Sequence, residues 1–144
     1  MDSKYKRLET LFISLLGLQI AALIASTFLT SNNIILSSTV LLIYIKIFVM
    51  SEILLTIVYG NYYYKTKMKL IEQEIDAEQK HQLYYMASSV RFILLSVCNL
   101  VVMLAFVFTS NEIYIIVTVP LLFLFYIYKP DRKIYEVKSV TDTK

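Results

Sequence analysis

The stretch FILLSVCNLVVMLAFVF, residues 92–108, decides the fold class of this chain because it contains no charged residue. An α-helix rises 1.5 Å per residue, and about 17–25 apolar residues are enough to cross the hydrocarbon core of a bilayer. The whole chain has 144 residues, too few to hide much apolar surface in a soluble core. The stretch therefore predicts a membrane-spanning helix.

The composition of the rest of the chain agrees with that prediction. Hydrophobic residues make up 58% and charged residues 17% of the sequence, against roughly 45–50% and about 25% in soluble domains. Only two Gly and two Pro occur, which argues against a loop-rich or barrel architecture. The single cysteine, Cys98, excludes an intramolecular disulfide.

Three other stretches are also long and apolar enough to form spans. We predict a single membrane domain covering residues 1–144, built as an all-α, antiparallel four-helix bundle. The fourth span is the shortest of the set. Together with the first stretch, the predicted spans are residues 11–29, 34–59, 92–108 and 113–128.

The connections at residues 30–33 and 109–112 are short, polar and free of Lys and Arg. Ser, Thr and Asn are good helix N-caps, so each connection is suited to end one helix and start the next. We expect spans joined so tightly to be antiparallel neighbours.

The basic residues predict the orientation of the spans. Every Lys and Arg except Lys46 lies before the first span, between the second and third, or after the fourth. By the positive-inside rule this side is the cytoplasm. We therefore expect a multi-pass protein of the cytoplasmic, or inner, membrane, with both its N-terminus and its C-terminus in the cytoplasm.

A cleaved signal peptide is the competing interpretation of the N-terminus. A basic segment precedes residues 11–29, as in signal peptides. That apolar stretch is longer than the usual 7–15 residues, and no clear cleavage site follows a polar segment. We expect the segment to remain as the first span.

Residues 60–91 predict a helical hairpin that extends the second and third spans into the cytoplasm, and residues 129–144 predict a cytoplasmic tail. The hairpin segment consists largely of good helix formers. Asp76 and Gln79 have capping-box spacing, which predicts a turn before a returning helix at Ala77. The apolar seam of the hairpin would be Met68, Ile71, Ile75, Leu83 and Met86.

The tip of this hairpin is acidic, whereas its lysines lie near the membrane. One interpretation is that the lysines bind anionic headgroups while the tip is simply solvated. The other is that the tip docks a basic cytoplasmic partner through Glu72, Glu74, Asp76 and Glu78. The only histidine, His81, is also on the hairpin, and we expect it to be exposed.

Four polar residues fall within the predicted spans, where polar groups are expensive: Gln19, Lys46, Glu52 and Asn99. We expect Gln19, Lys46 and Asn99 to share one depth, with Lys46 facing the interior and bonding to the two amides. Glu52 lies about 120° around the helix from Lys46 and about 9 Å along it, which is unfavourable for pairing within one helix. Pairing between protomers would relieve this, which suggests a homodimer or a larger membrane complex.

These polar residues have a structural and a functional interpretation. The structural interpretation is an interhelical hydrogen-bond cluster that fixes packing. The functional interpretation is a titratable site in which Lys46 and Glu52 couple proton movement to a substrate. Pro120 falls within the fourth span, where it frees a backbone carbonyl and predicts a kink.

The sequence shows no metal-ligand cluster, phosphate-binding loop or nucleophile with a plausible base, so no metal, cofactor or catalytic residue is predicted. The basic residues are close to the membrane, which does not favour nucleic acid as a partner. We expect a non-enzymatic accessory, regulatory or immunity-like protein that acts through helix–helix contacts. The alternative is a small proton- or ion-coupled transporter or channel that uses Lys46 and Glu52.

Overall fold

The structure, a computed structural model, describes residues 2–30, 39–73 and 77–130. These residues are helical almost throughout and contain no β-strand, which confirms the all-α fold class. They form four helices: α1 (Asp2–Thr30), α2 (Thr39–Gln73), α3 (Ala77–Thr109) and α4 (Ile113–Ile127).

Three of these helices are long and apolar enough to cross a membrane. They are α1, α2 and α3, which have 29, 35 and 33 residues. Helices of this length and composition indicate a membrane protein. The fourth, α4, has 15 residues and a length of about 22 Å, shorter than the roughly 30 Å hydrocarbon core.

The helices are arranged around α3. Helices α1, α2 and α4 each pack mainly against α3, whereas α1 and α2 hardly touch one another. The buried share of the most apolar stretch is 56% in α3 but 11% in α2 and 17% in α1. The expectation that the first two spans pack as neighbours is therefore wrong.

The physical reason lies in the side chains that α3 buries. Many of them are small, and small residues let neighbouring helices approach closely. Serine, alanine and cysteine side chains that are fully or almost fully buried recur along this helix: Ala87, Ser88, Ser96, Cys98 and Ala105.

An aromatic cluster joins α1, α3 and α4. The Phe12 ring is stacked on Phe125 with a centroid separation of 4.9 Å and meets Phe92 edge-on at 5.4 Å. The Phe92 and Phe125 centroids are 5.7 Å apart. All three side chains are buried, so the cluster fixes the relative depth of three helices.

Helix α2 continues beyond the predicted second span to Gln73, and helix α3 begins at Ala77, well before the predicted third span. Of the predicted seam, Ile71 is buried and Met68 and Leu83 are partly buried in one cluster, while Met86 is exposed. Ile75 lies outside the described residues. The cluster also includes Leu8 of α1, so α1 packs beside this extension.

The connection between α3 and α4 uses its polar residues as the sequence predicts. Ser110 has a positive φ of 50°, and its N–H donates to the Phe106 carbonyl at 2.8 Å. The Asn111 side-chain oxygen then accepts the Ile113 N–H at 3.1 Å. The first bond ends α3 and the second starts α4.

We expect Phe125→Ala to destabilise the protein by on the order of 3 kcal/mol, because it leaves a cavity in the aromatic cluster. The measurement is thermal unfolding in detergent, followed by a thiol-reactive fluorophore. Cys98 is fully buried and is the only cysteine, so it reacts only on unfolding. Phe123→Ala, on the same helix but 65% exposed, is the matched control. Equal melting temperatures for the two variants would contradict this packing.

Candidate functional site

Two of the predicted polar residues, Gln19 of α1 and Asn99 of α3, are in direct contact. Asn99 Nδ2 donates to Gln19 Oε1 at 2.8 Å, and Gln19 Nε2 donates to Ser96 Oγ at 2.9 Å. All three side chains are buried. We call Gln19, Ser96 and Asn99 the amide cluster. It joins α1 to α3 by hydrogen bonds that are buried from solvent.

Ser96 is the member of the amide cluster that sequence reasoning missed. It precedes Asn99 by three residues, which places the two side chains on one face of α3. The sequence contained that signal, but serine is common in apolar helices and is easily read as neutral.

Lys46 does not join the amide cluster. The antiparallel register of α2 and α3 is given by Arg91 Nη2, which donates to Asn61 Oδ1 at 2.6 Å. Asn99 lies eight residues beyond Arg91 and is therefore level with Ile53, eight residues before Asn61. Lys46 lies seven residues before Ile53 in α2. It is therefore displaced by about 10 Å along the helix axis from the level of Asn99.

The Lys46 side chain is also exposed. Helix α2 meets α3 through Val49, Thr56 and Gly60, which are buried, and Lys46 lies to the side of that face. The predictions that Lys46 shares the depth of Gln19 and Asn99, faces the interior and bonds to them are therefore wrong.

Glu52 is partly buried and lies near the level of Asn99. Within the described part of the chain, neither Lys46 nor Glu52 forms an ion pair. The structure thus separates the four predicted residues into a hydrogen-bonded pair, an exposed cation and a partly buried carboxylate on α2.

A second polar cluster surrounds Arg91, at the start of the apolar stretch of α3. The guanidinium carbon lies 3.0 Å from the centroid of the Tyr128 ring and 4.6 Å from that of Tyr64. Its Nη2 donates to Asn61, whose Oδ1 also accepts the Tyr128 hydroxyl at 3.3 Å. We call Asn61, Tyr64, Arg91 and Tyr128 the arginine cluster.

Sequence reasoning counted Arg91 only as one of the cytoplasmic charges. A guanidinium stacks on aromatic faces in a way that an ammonium does not. The available signal was one Arg among lysines, directly before an apolar stretch and in a chain with twelve Tyr. The partners of Arg91 come from α2 and from the end of α4, and sequence alone does not bring those elements together.

The acidic residues of the predicted hairpin tip are only partly described. Glu78 Oε1 lies 3.3 Å from Lys4 Nζ, in an ion pair whose side chains are 80% and 41% exposed. Such an exposed pair contributes little to stability. Glu72 is exposed, and Glu74 and Asp76 lie outside the described residues.

Pro120 and His81 occupy different environments. Helix α4 continues across Pro120, which is exposed, and the kink stays a prediction. His81 is only 6% exposed, so the expectation of an exposed histidine is wrong. Burial, followed by the nearby charge of Lys4, lowers the pKa of His81 below its usual 6.5. The described residues contain no group of three or more His, Cys, Asp and Glu side chains placed to hold a metal ion.

Comparison with protein-family models, with curated proteins and with solved structures finds no match to this chain. The functional argument therefore depends on the residues described above. They comprise an internal hydrogen-bonded cluster, an outward-facing lysine and an arginine held between aromatic rings.

We expect a double-mutant cycle between Gln19→Leu and Asn99→Leu to give a coupling energy of about 1 kcal/mol, as for interhelical hydrogen bonds in membranes. Each single substitution leaves a buried amide without its partner, so the double variant should lose less than the sum. Unfolding is followed through Cys98. Ser51→Ala is the control second site, because Ser51 bonds only within its own helix. Additivity in both cycles would rule out a stabilising amide cluster.

We also expect the His81 environment to make stability depend on pH. Above pH 6.5, the usual pKa of histidine, both the folded and the unfolded protein hold His81 neutral. As the pH falls below that value, the unfolded chain binds a proton more readily, so stability is lost. Melting temperatures between about pH 7.5 and about pH 5.5 should therefore fall more steeply for wild type than for His81→Gln. Parallel curves would show that the folded state does not perturb His81.

Proposed function

We propose that this chain is a multi-pass inner-membrane protein that acts without catalysis, through helix–helix contact with another membrane protein. In this role it serves as an accessory or regulatory subunit or as an immunity-like protein. The observation that carries the proposal is the exposed position of Lys46 on α2.

An exposed lysine at this position is unfavourable for an isolated chain in a bilayer. On insertion scales a charged residue costs about 2.5–3.5 kcal/mol at the centre of a membrane helix, and the cost falls toward the helix ends, where a long side chain reaches the interface. Charged residues within membrane helices therefore almost always face a protein interior or a water-filled cavity. An acceptor on a helix of a second protein, such as a carboxylate or an amide, would offset this cost.

The apolar surface around Lys46 fits either lipid or a second helix and does not by itself distinguish them. Its neighbours along the exposed side of α2 are large and apolar, and they remain uncovered in the single chain. Lys46 is what distinguishes the two, because lipid tails offer no acceptor. The exposed apolar and aromatic side chains within four residues of Lys46 include Ile43, Tyr44, Ile47, Phe48 and Met50.

The proposed topology has four spans with both ends in the cytoplasm. In support, Lys4 and Lys129 both lie near the end of the molecule that contains Arg91, as their contacts with Glu78 and with the arginine-cluster cavity show. In this proposal α4 is the fourth span. Although α4 is short, Tyr126 lies in its last turn and Tyr128 and Lys129 directly follow it, and these residue types anchor helices at membrane interfaces.

We expect a photo-crosslinking amino acid at position 43 to capture one protein, either a membrane protein or a second copy of this chain, in intact membranes. Ile43 is 54% exposed and lies three residues before Lys46, so the crosslinker leaves the lysine in place. The control position is Ile116, which is 67% exposed on the apolar helix α4. In the same membranes, Lys46→Met should reduce recovery of the complex by about tenfold or more, while Lys46→Arg should retain most of it, because only the latter keeps the charge. Equal crosslinking from positions 43 and 116 to lipid alone would refute the proposal.

A flux measurement distinguishes the proposed function from the alternative, a proton- or ion-coupled transporter. Wild type and Glu52→Gln are reconstituted in proteoliposomes and compared for proton and ion flux. The proposed function predicts no flux above protein-free vesicles for either. Flux that is present in wild type and lost in Glu52→Gln would replace the proposal by the transporter.

A further inference from the structure

A cavity of about 270 Å³ lies beside the arginine cluster, between α2, α3 and the end of α4. This volume is far above the roughly 10–15 Å³ that a single water molecule requires, so the cavity has room for a small polyatomic group. Two cationic side chains, Arg91 and Lys129, contribute to its wall.

No carboxylate of the described residues lines this cavity. Within residues 2–30, 39–73 and 77–130, Arg91 forms no ion pair. It donates to the neutral amide of Asn61 and lies against the neutral Tyr128 phenol. The Arg91 Nε is buried and donates no hydrogen bond. A guanidinium that keeps an unpartnered N–H has the capacity to donate one further charge-assisted hydrogen bond to an anionic oxygen.

The other walls of the cavity combine hydroxyl groups with apolar surface. Tyr84 and Ser88 of α3 line it, and both are largely buried. Phe92, the first residue of the apolar stretch, and Ile127, the last residue of α4, form its apolar side. The cavity therefore lies where the polar and apolar parts of these helices meet.

We propose that this cavity binds the phosphoryl group of an anionic ligand, with Arg91 and Lys129 as the two cations that recognise it. Arg–phosphate contacts are frequently bidentate and charge-assisted, and therefore stronger than neutral hydrogen bonds. Basic pockets between membrane helices on the cytoplasmic side are suited to anionic lipid headgroups. The source of the phosphoryl group is either such a lipid or free phosphate, and the two share this chemistry.

The inference does not require the partner helix proposed at Lys46, which lies 18 residues before Tyr64, the α2 residue that lines the cavity. Loss of anion binding would leave the crosslink from position 43 unchanged. Loss of the crosslink would leave anion binding unchanged. The two proposals can therefore fail separately.

The test uses the full chain in a neutral detergent, with thermal unfolding followed through Cys98. Phosphatidylglycerol and phosphatidylcholine are titrated in separate arms, and inorganic phosphate is titrated against chloride at equal ionic strength. We expect phosphatidylglycerol to raise the melting temperature of the wild type by about 4 °C or more, and phosphatidylcholine to raise it much less.

Arg91→Gln should weaken the apparent affinity for phosphatidylglycerol by about tenfold or more, because it removes a charge-assisted contact. Arg7→Gln is the matched control. It makes the same change at an exposed arginine on α1, and it should bind like wild type. Lys129→Gln, at an exposed position on the rim, should give an intermediate loss and provides the test if Arg91→Gln does not fold.

Comparing the lipid titration with the inorganic phosphate titration identifies the source of the phosphoryl group. Stabilisation by phosphatidylglycerol but not by inorganic phosphate supports a lipid headgroup. Stabilisation by inorganic phosphate that is lost in Arg91→Gln or Lys129→Gln supports free phosphate. Equal behaviour of Arg91→Gln, Lys129→Gln and Arg7→Gln with every anion would overturn the proposal, as would a wild type that distinguishes neither anion from its control.

Discussion

Close packing around α3 is the constraint on which the rest of the structure depends. Lipid tails are as apolar as leucine side chains, so helices in a bilayer gain little from the hydrophobic effect when they associate. They associate through close contact and hydrogen bonds instead. Helix α3 offers both, because small buried residues such as Ser96 and Cys98 alternate with larger ones. Helices α1, α2 and α4 each use a different part of its surface.

The polar residues at membrane depth divide according to this packing. Gln19 and Asn99 meet where α1 contacts α3, and each amide satisfies part of the other's hydrogen-bonding capacity. Lys46 lies to the side of the α2 face that packs on α3, and its exposed side chain gains nothing from the fold of the single chain. The buried amides thus stabilise the contact between α1 and α3, whereas the Lys46 ammonium has no hydrogen-bond acceptor within the described part of the chain. That asymmetry is the reason for placing the interaction surface on α2.

The helices themselves were predictable from the sequence. Long apolar stretches can satisfy their backbone groups in lipid only as helices, and good helix formers after residue 59 predicted that α2 continues. The partners around the helix axis were not predictable. The charge pattern predicts how deep a residue lies and which side of the membrane a loop is on. It does not predict which way a side chain points around the helix axis, so Lys46 was expected in the interior although it is exposed. His81 was expected at the surface for a related reason, because its burial depends on how the first residues of α1 pack beside α3.

The contacts of the arginine cluster were even harder to predict from the sequence. Asn61, Arg91 and Tyr128 belong to three helical segments that are far apart in the chain. Each residue is individually ordinary for a membrane interface. Only their juxtaposition makes a cation held between aromatic rings, next to a cavity with one donor still available.

The bond between Gln19 and Ser96 has a consequence for how the protein is made. The two residues are 77 positions apart, and ribosomes add about 5–20 residues per second. The first helix therefore waits on the order of 4–15 s before its partner has even been synthesised. During that interval the Gln19 amide must be held by the insertion machinery or by transient neighbours. Assembly of this protein is thus governed by the late arrival of its central helix, and the first two helices have little with which to hold each other until then.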